Sequence, residues 1–489
     1  MGSIKKQGVQ NAIINFIGVS IGFVSLLFIQ PNLLKAEELG LTRILIAAAS
    51  LIAAILPLGI SSITTKFFPY FRNVEKKHFG FFGFILLFIL VGTTISGILI
   101  YSFKNIILNL YTQQSFLFTR FFDLLLPFAI IISLNIALNA YCYSIFKTSI
   151  ISLFEGIIVR ILFVLIIVIY YFQWINLTQF IYLFIGIYLF QALSIIIYIH
   201  QVDTLSFKIN TSQFKSIGTS KMVTFGLLLT LTNISSLSLK HLDSLMIGKY
   251  LTLDYVGIFA VSAYIALIIE LPLSSLEKIT HSKVSQAWAN KDLDSIKKIY
   301  YLSVKYLMLA GGLLLVGILI NIHDLLNLLP ETYHKGATVT IIASVGAFLN
   351  IATGVNTSIL FTSEKYIYGT FLLFFLFVLS IILNILLIPA YGIEGAAIAT
   401  AISSVIYNTF KYFIIWKNFK LQPFNRSSLK ILVVIFISFS VAYFLPGFKT
   451  SIASILFHSL VITSVYGILT YLLQIVPEFH NYIPFRKRK

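Results

Sequence analysis

The amino-acid sequence predicts an all-α, polytopic membrane protein of about fourteen transmembrane helices, and three observations lead to that prediction. Of the 489 residues, 58% are hydrophobic and only 11% are charged, whereas soluble chains carry about 25% charged residues. The apolar residues form blocks of about 20–28 residues, the length that a helix needs to cross a hydrocarbon core of roughly 30 Å. No polar stretch is long enough to form a soluble domain.

The apolar blocks define fourteen candidate spans. They cover residues 10–34, 41–65, 79–103, 119–143, 148–171, 178–200, 222–248, 255–278, 301–322, 336–360, 366–389, 394–416, 430–446 and 451–475. Lys5 and Lys6 precede the first block, which continues through Pro31 and is expected to be an uncleaved first helix rather than a signal peptide. Cys142 is the only cysteine, so the sequence provides neither an intramolecular disulfide nor a thiolate metal cluster.

The basic residues indicate how the spans are oriented. The net charge is +18, and we assign 26 of the 35 Lys and Arg residues to the side of the membrane that holds the N-terminus. Because Lys and Arg concentrate in cytoplasmic loops, both termini are expected in the cytoplasm. The tail Arg486–Lys489 is interpreted as an anchor to anionic headgroups. Most of the basicity is explained by topology, and nucleic acid is not an expected partner.

The chain resembles itself at a spacing of about 217 residues. Matching residues are Gly40 with Gly257, Asn73 with Asn290, and Pro57 with Pro272. Six spans separate the two copies, an even number, so both halves enter the membrane in the same direction. The repeat therefore predicts two pseudo-symmetric six-helix lobes with a cavity at their interface, which is a transporter architecture.

The predicted domains follow from this repeat. Residues 1–205 form an N-lobe of six spans, and residues 206–420 form a linker and a C-lobe of six spans. Residues 421–489 form two extra helices and a basic cytoplasmic tail. The basic segment 206–221 is interpreted either as an inter-lobe linker along the inner surface or as a solvated loop.

Ionisable residues inside spans are candidates for function, because each costs about 2.5–3.5 kcal/mol at the helix centre on insertion scales. Arg160 lies midway along span 5, where its guanidinium needs water, a partner helix or an anion. Lys240 and Asp243 share a face of span 7 and form either a functional pair or a self-neutralised structural one. Arg43, at the outer end of span 2, either faces an anion or extends to the headgroups.

Span 8 carries a carboxylate beside a predicted helix break. Glu270 precedes Leu271-Pro272-Leu273, where it could bind a cation or proton with the help of freed carbonyls, or could cap the break. Pro57 and Pro272 are predicted as paired hinges or kinks in spans 2 and 8. Structural roles are expected for Asp123, as a partner of Arg120, and for His458, as a packed polar group.

Some classes of protein are excluded by what the sequence lacks. There is no Walker lysine loop and no nucleotide-binding domain, so ATP-driven transport by this chain alone is excluded. Glu37-Glu38 is similar to the acidic pair of lipid-linked-sugar glycosyltransferases, but those enzymes also need a substantial outer domain. We expect a transporter rather than an enzyme, without a metal or cofactor other than a coupling H⁺ or Na⁺.

One segment closely resembles a known family. Residues 384–400, which contain Pro389, Gly392 and a run of small residues, resemble the span 11–12 signature of polysaccharide-biosynthesis flippases. These are the O-antigen (Wzx-type) branch of the multidrug/oligosaccharidyl-lipid/polysaccharide (MOP) exporter superfamily. The opening, with Asn15, Gly18 and a first loop ending in Glu38-Leu39-Gly40, is similar to that family too. The resemblance covers essentially the whole chain and implies a MATE-like fold.

The resemblance also implies a function. A flippase of this family moves a polyprenyl-pyrophosphate-linked oligosaccharide from the inner to the outer leaflet by alternating access, and polysaccharide polymerase or assembly proteins are possible partners. Cationic cavity residues would meet the pyrophosphate, which suits Arg43, Arg160 and Lys240, and a proton or sodium gradient would act through Asp243 or Glu270. Polar groups of span 1 would contact sugar, and these are Asn11, Asn15, Ser20, Ser25 and Gln30.

Two alternatives stay open at this point. A cation-coupled multidrug exporter of the same superfamily would need an acidic cavity, and counting charges in the spans does not decide between the two. A membrane-embedded glycan polymerase or glycosyltransferase is disfavoured by the lack of a large outer loop. Span 1 contains no arginine, although related peptidoglycan-lipid flippases have several in spans 1 and 2, which argues against a peptidoglycan substrate.

Overall fold

The computed structural model describes residues 2–111 and 115–476. For residues 2–9, 11, 12, 110, 228, 231–233, 236 and 238 it describes the backbone only. The predicted basic anchor Arg486–Lys489 and the side chain of Asn11 therefore lie outside the described residues.

All regular elements of the described residues are helical, which confirms the predicted all-α class. In the part of the chain that is described, eleven helices are long and apolar enough to cross a membrane. The number becomes twelve if the bent pair Glu331–Ile351 and Asn356–Thr362 forms one broken span. The predicted count of fourteen is not confirmed, because two predicted spans share one 54-residue helix and span 7 is not among the eleven. The chain is a multi-pass membrane protein.

The chain divides into two compact units, Met1–Gly257 and Ile258–Lys489. The helices of the first unit are α1 (Gly2–Val24), α2 (Gln30–Leu33), α3 (Ala36–Ile55), α4 (Ile60–Phe71), α5 (Phe81–Ser102), α6 (Lys104–Tyr111), α7 (Phe116–Arg120), α8 (Leu125–Ser144), α9 (Thr148–Leu153), α10 (Val159–Tyr171), α11 (Leu177–Val202), α12 (Thr211–Ile217) and α13 (Thr219–Tyr250). Two π turns, Ser25–Ile29 and Phe154–Ile158, continue α1 and α9, and 3₁₀ turns cover Lys77–Gly80 and Phe122–Leu124.

The first unit ends within the first turns of α14 (Leu253–Leu267), and the rest of that helix lies in the second unit. The other helices of the second unit are α15 (Leu271–Ala289), α16 (Leu293–Leu326), α17 (Ala337–Ile351), α18 (Asn356–Thr362), α19 (Tyr366–Phe419), α20 (Arg426–Tyr443) and α21 (Ser451–Leu472). Its 3₁₀ turns are Ile268–Glu270 and Glu331–Gly336.

The boundary between the units falls later than the predicted start of the linker at residue 206. The reason is that α13 packs against α3 and α4 and therefore belongs to the first unit. The repeat-based lobes 1–205 and 206–420 stay a prediction about symmetry, whereas the units describe which helices pack together.

Helix breaks lie at both repeat-related prolines. Span 2 is divided by Pro57, with α3 ending at Ile55 and α4 beginning at Ile60, and Gly59 between them has a φ of +75°. Span 8 is divided by the 3₁₀ turn Ile268–Glu270, after which Pro272 lies in the first turn of α15. Proline fits a helix there, because the N–H groups of the first turn have no partner within the helix. Whether these breaks act as hinges stays a prediction.

The segment that carries the family resemblance forms a sharp turn inside α19. Gly392 has a φ of 62° and a ψ of −139°, so the helix is interrupted there. A Cβ placed on Gly395 would overlap the carbonyl oxygen of Leu387 on the other side of the turn. The two halves of α19 therefore approach each other more closely than side chains would permit.

The last two helices pack on the long helix α16. Val316 of α16, Ala442 of α20 and Ile462 of α21 form a buried apolar cluster, all at most 2% exposed. His458 of α21 is buried at 6% exposure, and neither ring nitrogen has a hydrogen-bond partner in the described part of the chain. Its placement matches the expected packed polar group.

Candidate functional site

The first unit contains a cavity of about 590 Å³, with several polar groups in a mostly apolar lining, between α4, α8, the π turn Phe154–Ile158 and α13. Four of its lining residues come from α4, namely Ser61, Ser62, Thr65 and Lys66. These positions repeat at a helical spacing, so one face of α4 supplies three hydroxyl groups and one ammonium group. Tyr143 of α8 and Phe225 of α13 add aromatic surface.

Lys66 is the basic residue of this cavity lining. Its Nζ lies 3.8 Å from the centre of the Phe225 ring, a cation–π arrangement that fixes the ammonium at the cavity wall. The sequence indicated Lys66 only as one of many residues that orient the chain. The sequence pattern that could have identified Lys66 is the Ser61-Ser62-x-x-Thr65-Lys66 stripe directly after the Pro57 break.

Glu155 is the acidic residue of the lining, and two neighbours act on it. The Nδ2 atom of Asn139 donates to Oε1 of Glu155 at 2.5 Å, and Lys240 of α13 acts on the same carboxylate electrostatically. The Oδ1 atom of Asn139 is buried and accepts no hydrogen bond from the described residues. Such an acceptor is normally satisfied by water or a ligand. The cavity therefore offers one carboxylate, two nearby ammonium groups and an unused carbonyl.

Arg160 and Arg43 are not part of the lining of this cavity. Nη1 of Arg160 donates to the carbonyl oxygen of Gly18 in α1. A neighbouring helix therefore accepts a hydrogen bond from at least one of the five N–H donors of this guanidinium group. Nη2 of Arg43 donates to Oε1 of Gln30. Both guanidinium groups, together with Glu155, lie within electrostatic range of Tyr188 in α11. The structure thus places both arginines near one tyrosine of the first unit.

The polar residues predicted in span 1 are divided between two environments. Gln30 and Ser25 are buried, and Nε2 of Gln30 donates to the Ser25 hydroxyl at 2.9 Å, which joins them to Arg43. Ser20 instead donates to the carbonyl oxygen of Phe16 and lines an almost entirely apolar groove of about 360 Å³ between α1 and α10. Asn15 is half-buried on α1.

The two predicted ion-coupling carboxylates lie in different units. Asp243 is half-buried in α13, one turn after Lys240. Glu270 ends the 3₁₀ turn before α15 in the second unit, and its Oε1 accepts from Nδ2 of Asn350 in α17 at 2.7 Å. The partner that the structure gives Glu270 is therefore a side chain of another helix.

The expected pair of Asp123 with Arg120 is wrong. Asp123 pairs with Lys104 at 2.5 Å, and Nη2 of Arg120 donates to the hydroxyl of Thr178. The cause is a helix break, because Arg120 ends α7 and Asp123 lies in the 3₁₀ turn that follows. The spacing of three residues therefore does not bring the two side chains onto one helix face.

Sequence comparison finds two partial likenesses. The MatE family model matches residues 229–386. The probable flippase AglR of Haloferax volcanii is 27% identical over 183 residues, which make up 36% of this chain. The chain spans about 38% of the length of this curated relative.

Two solved structures share the fold over most of their length. The lipid II flippase MurJ, in an inward closed conformation, superposes with a TM-score of 0.76 at 16% identity and covers 96% of this chain and 98% of that one. An inward-facing multidrug resistance MATE family transporter of the MOP superfamily has a TM-score of 0.65 at 13% identity, covering 83% of this chain and 96% of the other. The predicted MATE-like fold is confirmed.

Proposed function

We propose, from a membrane chain with a MurJ- and MATE-like fold, that this protein is a flippase for a polyprenyl-pyrophosphate-linked oligosaccharide. It would move the repeat unit of an O-antigen, capsule or exopolysaccharide from the inner to the outer leaflet by alternating access. The proposed site of action is a bacterial inner membrane, with both termini in the cytoplasm. Polysaccharide polymerase or assembly proteins are the proposed partners.

The cavity of the first unit is the observation that carries the proposal. Its volume of about 590 Å³ falls in the range of small-molecule sites, about 300–1,000 Å³. Hydroxyl and amide groups dominate its polar lining, and these are the groups that hydrogen-bond sugar hydroxyls. Aromatic rings such as those of Tyr143 and Phe225 offer flat apolar faces to a sugar ring.

The charges at the cavity favour an anionic substrate. Lys66 lines it directly, and Lys240 lies near enough to offset the charge of Glu155. A diphosphate next to Lys66 would gain charge-assisted hydrogen bonds, whereas a cationic drug would meet two ammonium groups against one carboxylate. Arg43 and Arg160 are the next cationic groups on the proposed path, and the apolar groove of about 360 Å³ beside Ser20 is the proposed place for part of the polyprenyl chain.

Complementation of a deletion strain tests this function. We expect Lys66→Ala, and the pair Arg160→Ala with Lys240→Ala, to lower surface polysaccharide at equal protein abundance. The lipid-linked oligosaccharide should then accumulate in the inner leaflet. Lys297→Ala is the control, because Lys297 is exposed on α16 in the second unit. Surface polysaccharide at the wild-type level in all cavity variants would overturn the proposal.

A cation-coupled multidrug exporter is the second candidate, favoured by the presence of Glu155 in the cavity and by the likeness to a MATE transporter. It predicts the opposite pattern of variants. Glu155→Gln would then abolish export of a cationic dye, and Lys66→Ala would leave export unchanged or increase it. Measuring dye efflux and surface polysaccharide on the same variants separates the two functions.

A further inference from the structure

A second cavity of the first unit lies where the loop after α4 meets the segment after α11. Its volume is about 500 Å³, and its lining shares no residue with the proposed substrate cavity. Three lysines line it, Lys76 and Lys77 from the loop and Lys208 from the segment, against one carboxylate, that of Glu75. All four side chains are exposed at the surface. The cavity therefore presents an excess of positive charge to a ligand.

The loop that carries two of these lysines has an unusual backbone. Lys77, His78, Phe79 and Gly80 have φ values of 47°, 51°, 54° and 77°, so four consecutive residues are left-handed. Residues with a Cβ rarely adopt this conformation, because the Cβ comes too close to the following carbonyl oxygen. Such a run persists only where its surroundings hold it, and strained backbone of this kind is found mostly at functional sites. The neighbouring residues must therefore maintain the shape of this turn.

Hydrogen bonds on both sides hold the turn in place. The N–H of His78 donates to the carbonyl oxygen of Asn73 at 2.8 Å, and that of Lys76 donates to Oδ1 of Asn73 at 2.9 Å. Nδ1 of His78 accepts from the N–H of Asn73 at 3.0 Å, which leaves Nε2 to donate to Oδ1 of Asp203 at 2.7 Å. The imidazole is thus fixed between the loop and the residue that follows α11.

The segment 203–211 lies directly on this turn. The N–H of Asn210 donates to the carbonyl oxygen of Phe79 at 3.0 Å. A Cβ placed on Gly80 would overlap the carbonyl oxygen of Lys208, so the two backbones are in contact there. These contacts hold the backbone of the third lysine next to the loop that carries the other two. The cavity is therefore built by two segments that are distant in the sequence and fixed to each other.

The three ammonium groups are not neutralised by the protein. In the part of the chain that the structure describes, none of them forms an ion pair, not even with Glu75 in the same lining. Nζ of Lys76 instead lies 5.5 Å from the centre of the Phe79 ring. Ser206 and Thr211 add hydroxyl groups to the lining. An anion with several acceptor oxygens, such as a phosphate group, would accept hydrogen bonds from both kinds of donor.

The place of the cavity in the fold indicates where such a phosphate group comes from. Helix α5 begins and α11 ends beside it, and both are among the helices that can cross a membrane, so the cavity lies at the level of the lipid headgroups. Val74 and Phe207, which adjoin lining residues in the sequence, are 60% and 71% exposed. Apolar and aromatic side chains at the ends of spans commonly enter the membrane interface. A basic pocket with such neighbours is typical of a site for an anionic lipid headgroup.

We propose that the cavity lined by Lys76, Lys77 and Lys208 binds the phosphate group of an anionic membrane lipid. The inference goes beyond the proposed function, because this site is separate from the substrate cavity and the lipid is not transported. A bound headgroup would join the loop to the segment that leads through α12 to α13, the helix that carries Phe225 of the substrate cavity. Lipid binding would thereby stabilise the position of that helix.

Lipid binding to the purified full-length chain tests the inference. After delipidation in a non-ionic detergent, the chain is titrated with phosphatidylglycerol and, in parallel, with zwitterionic phosphatidylcholine, and bound lipids are counted by native mass spectrometry. We expect one phosphatidylglycerol to bind more tightly than any further lipid. The variant Lys76→Ala/Lys77→Asn/Lys208→Ala should lower that affinity about 100-fold, because each lysine near an anionic surface contributes about fivefold. Asn replaces Lys77 because it tolerates the left-handed conformation.

A control variant with the same change in charge is Lys297→Ala/Lys298→Ala/Lys417→Ala, since these three lysines are exposed in the second unit. It should bind phosphatidylglycerol like the wild type. If the cavity variant does not fold, Lys208→Ala alone takes its place, with an expected loss of about fivefold. An equal loss of affinity in the control and cavity variants, or equal affinity of the wild type for both lipids, would overturn the inference.

A competition experiment separates the lipid from free phosphate as the ligand. Sodium phosphate and sodium chloride at equal ionic strength should weaken phosphatidylglycerol binding by the same amount, because both screen the lysines alike. Stronger displacement by phosphate would assign the cavity to a soluble phosphate and would overturn the inference of a lipid. Since none of these measurements needs the cargo or transport, their failure is distinct from failure of the flippase assay.

Discussion

Gly40 of α3 and Gly257 of α14 lie against each other. Because neither has a side chain, the backbone of each helix occupies the space beside the glycine of the other. A Cβ on Gly40 would overlap the carbonyl oxygen of Leu253, and a Cβ on Gly257 would overlap that of Ala36. All four residues belong to the first unit. The predicted internal repeat also matches these two glycines to each other.

Substituting either glycine should destabilise the protein. We expect Gly40→Ala and Gly257→Ala to lower the free energy of unfolding by about 1–3 kcal/mol, the usual cost of overpacking, because backbone carbonyls cannot move aside as a flexible side chain does. Thermal unfolding of the detergent-purified protein measures this. Gly186→Ala in α11 is the control, since nothing lies within 4 Å of its Cβ position. Equal melting temperatures for all three variants would contradict the close contact.

Substitution of Gly392 in the turn of α19 should also destabilise the protein, but for a different reason. Its φ of 62° and ψ of −139° are strongly disfavoured for residues with a Cβ, so Gly392→Ala should cost about 1–3 kcal/mol through backbone strain. The same melting assay applies. Gly467→Ala in α21, where the Cβ position is also free of neighbours, should leave the melting temperature unchanged or raise it. A Gly392→Ala variant as stable as wild type would show that the turn tolerates a side chain.

A buried hydrogen bond between an imidazole and a carboxylate connects the loop after α4 to the end of α11. Nε2 of His78 lies 2.7 Å from Oδ1 of Asp203, their side chains are 3% and 8% exposed, and the hydroxyl of Tyr141 donates to Oδ2 at 3.0 Å. A hydrogen bond to a charged group contributes about 1.5–3 kcal/mol to stability. Asp203→Asn should therefore lower the melting temperature at neutral pH more than Asp292→Asn does, since Asp292 is exposed.

The same pair predicts a pH dependence of stability. Burial raises the pKa of Asp203, but hydrogen bonds from His78, the Thr204 backbone and Tyr141 outweigh it and hold the pKa below its usual value. The stabilisation is thus fully present above about pH 4, the pKa of an Asp side chain in the unfolded chain. It is lost as the pH falls through the lower pKa that Asp203 has in the folded protein. Melting curves at stepwise lower pH test this. The melting temperature of Asp203→Asn should fall less with decreasing pH than that of the wild type. Identical pH profiles for wild type and variant would contradict the assignment.

The proposed orientation can be tested with thiol labelling. Cys142, the single cysteine, is fully buried, so the native protein should not react with a membrane-impermeant maleimide. Lys35→Cys should react in intact cells, and Lys76→Cys only after permeabilisation, because the positive-inside rule assigns them to opposite sides. Both positions are exposed. Reversed labelling would place the termini outside and would contradict the proposed topology.

The sequence predicts the helices well because each apolar block can satisfy its backbone hydrogen bonds only as a helix in the bilayer. It predicts the turn at Gly392 because Pro389 and Gly392 have strong local preferences. It did not identify Lys66 or Asn139, because their importance depends on which faces meet across helices distant in the chain. Arg160 was recognised as costly, but its acceptor is the Gly18 backbone carbonyl, which any residue provides and no side-chain pattern reveals.

The π turn Phe154–Ile158 ends just before Arg160. A π turn holds one more residue than the α-helical turn it replaces. Deleting one residue within it would restore α geometry and rotate everything beyond by about 100° about the helix axis, since an α-helix has 3.6 residues per turn. Arg160 would then face away from Gly18. In relatives of this chain that are one residue shorter or longer in this segment, the sequences before and after the π turn should therefore be aligned separately. A gap within the turn changes which face of the helix carries the charge of Arg160.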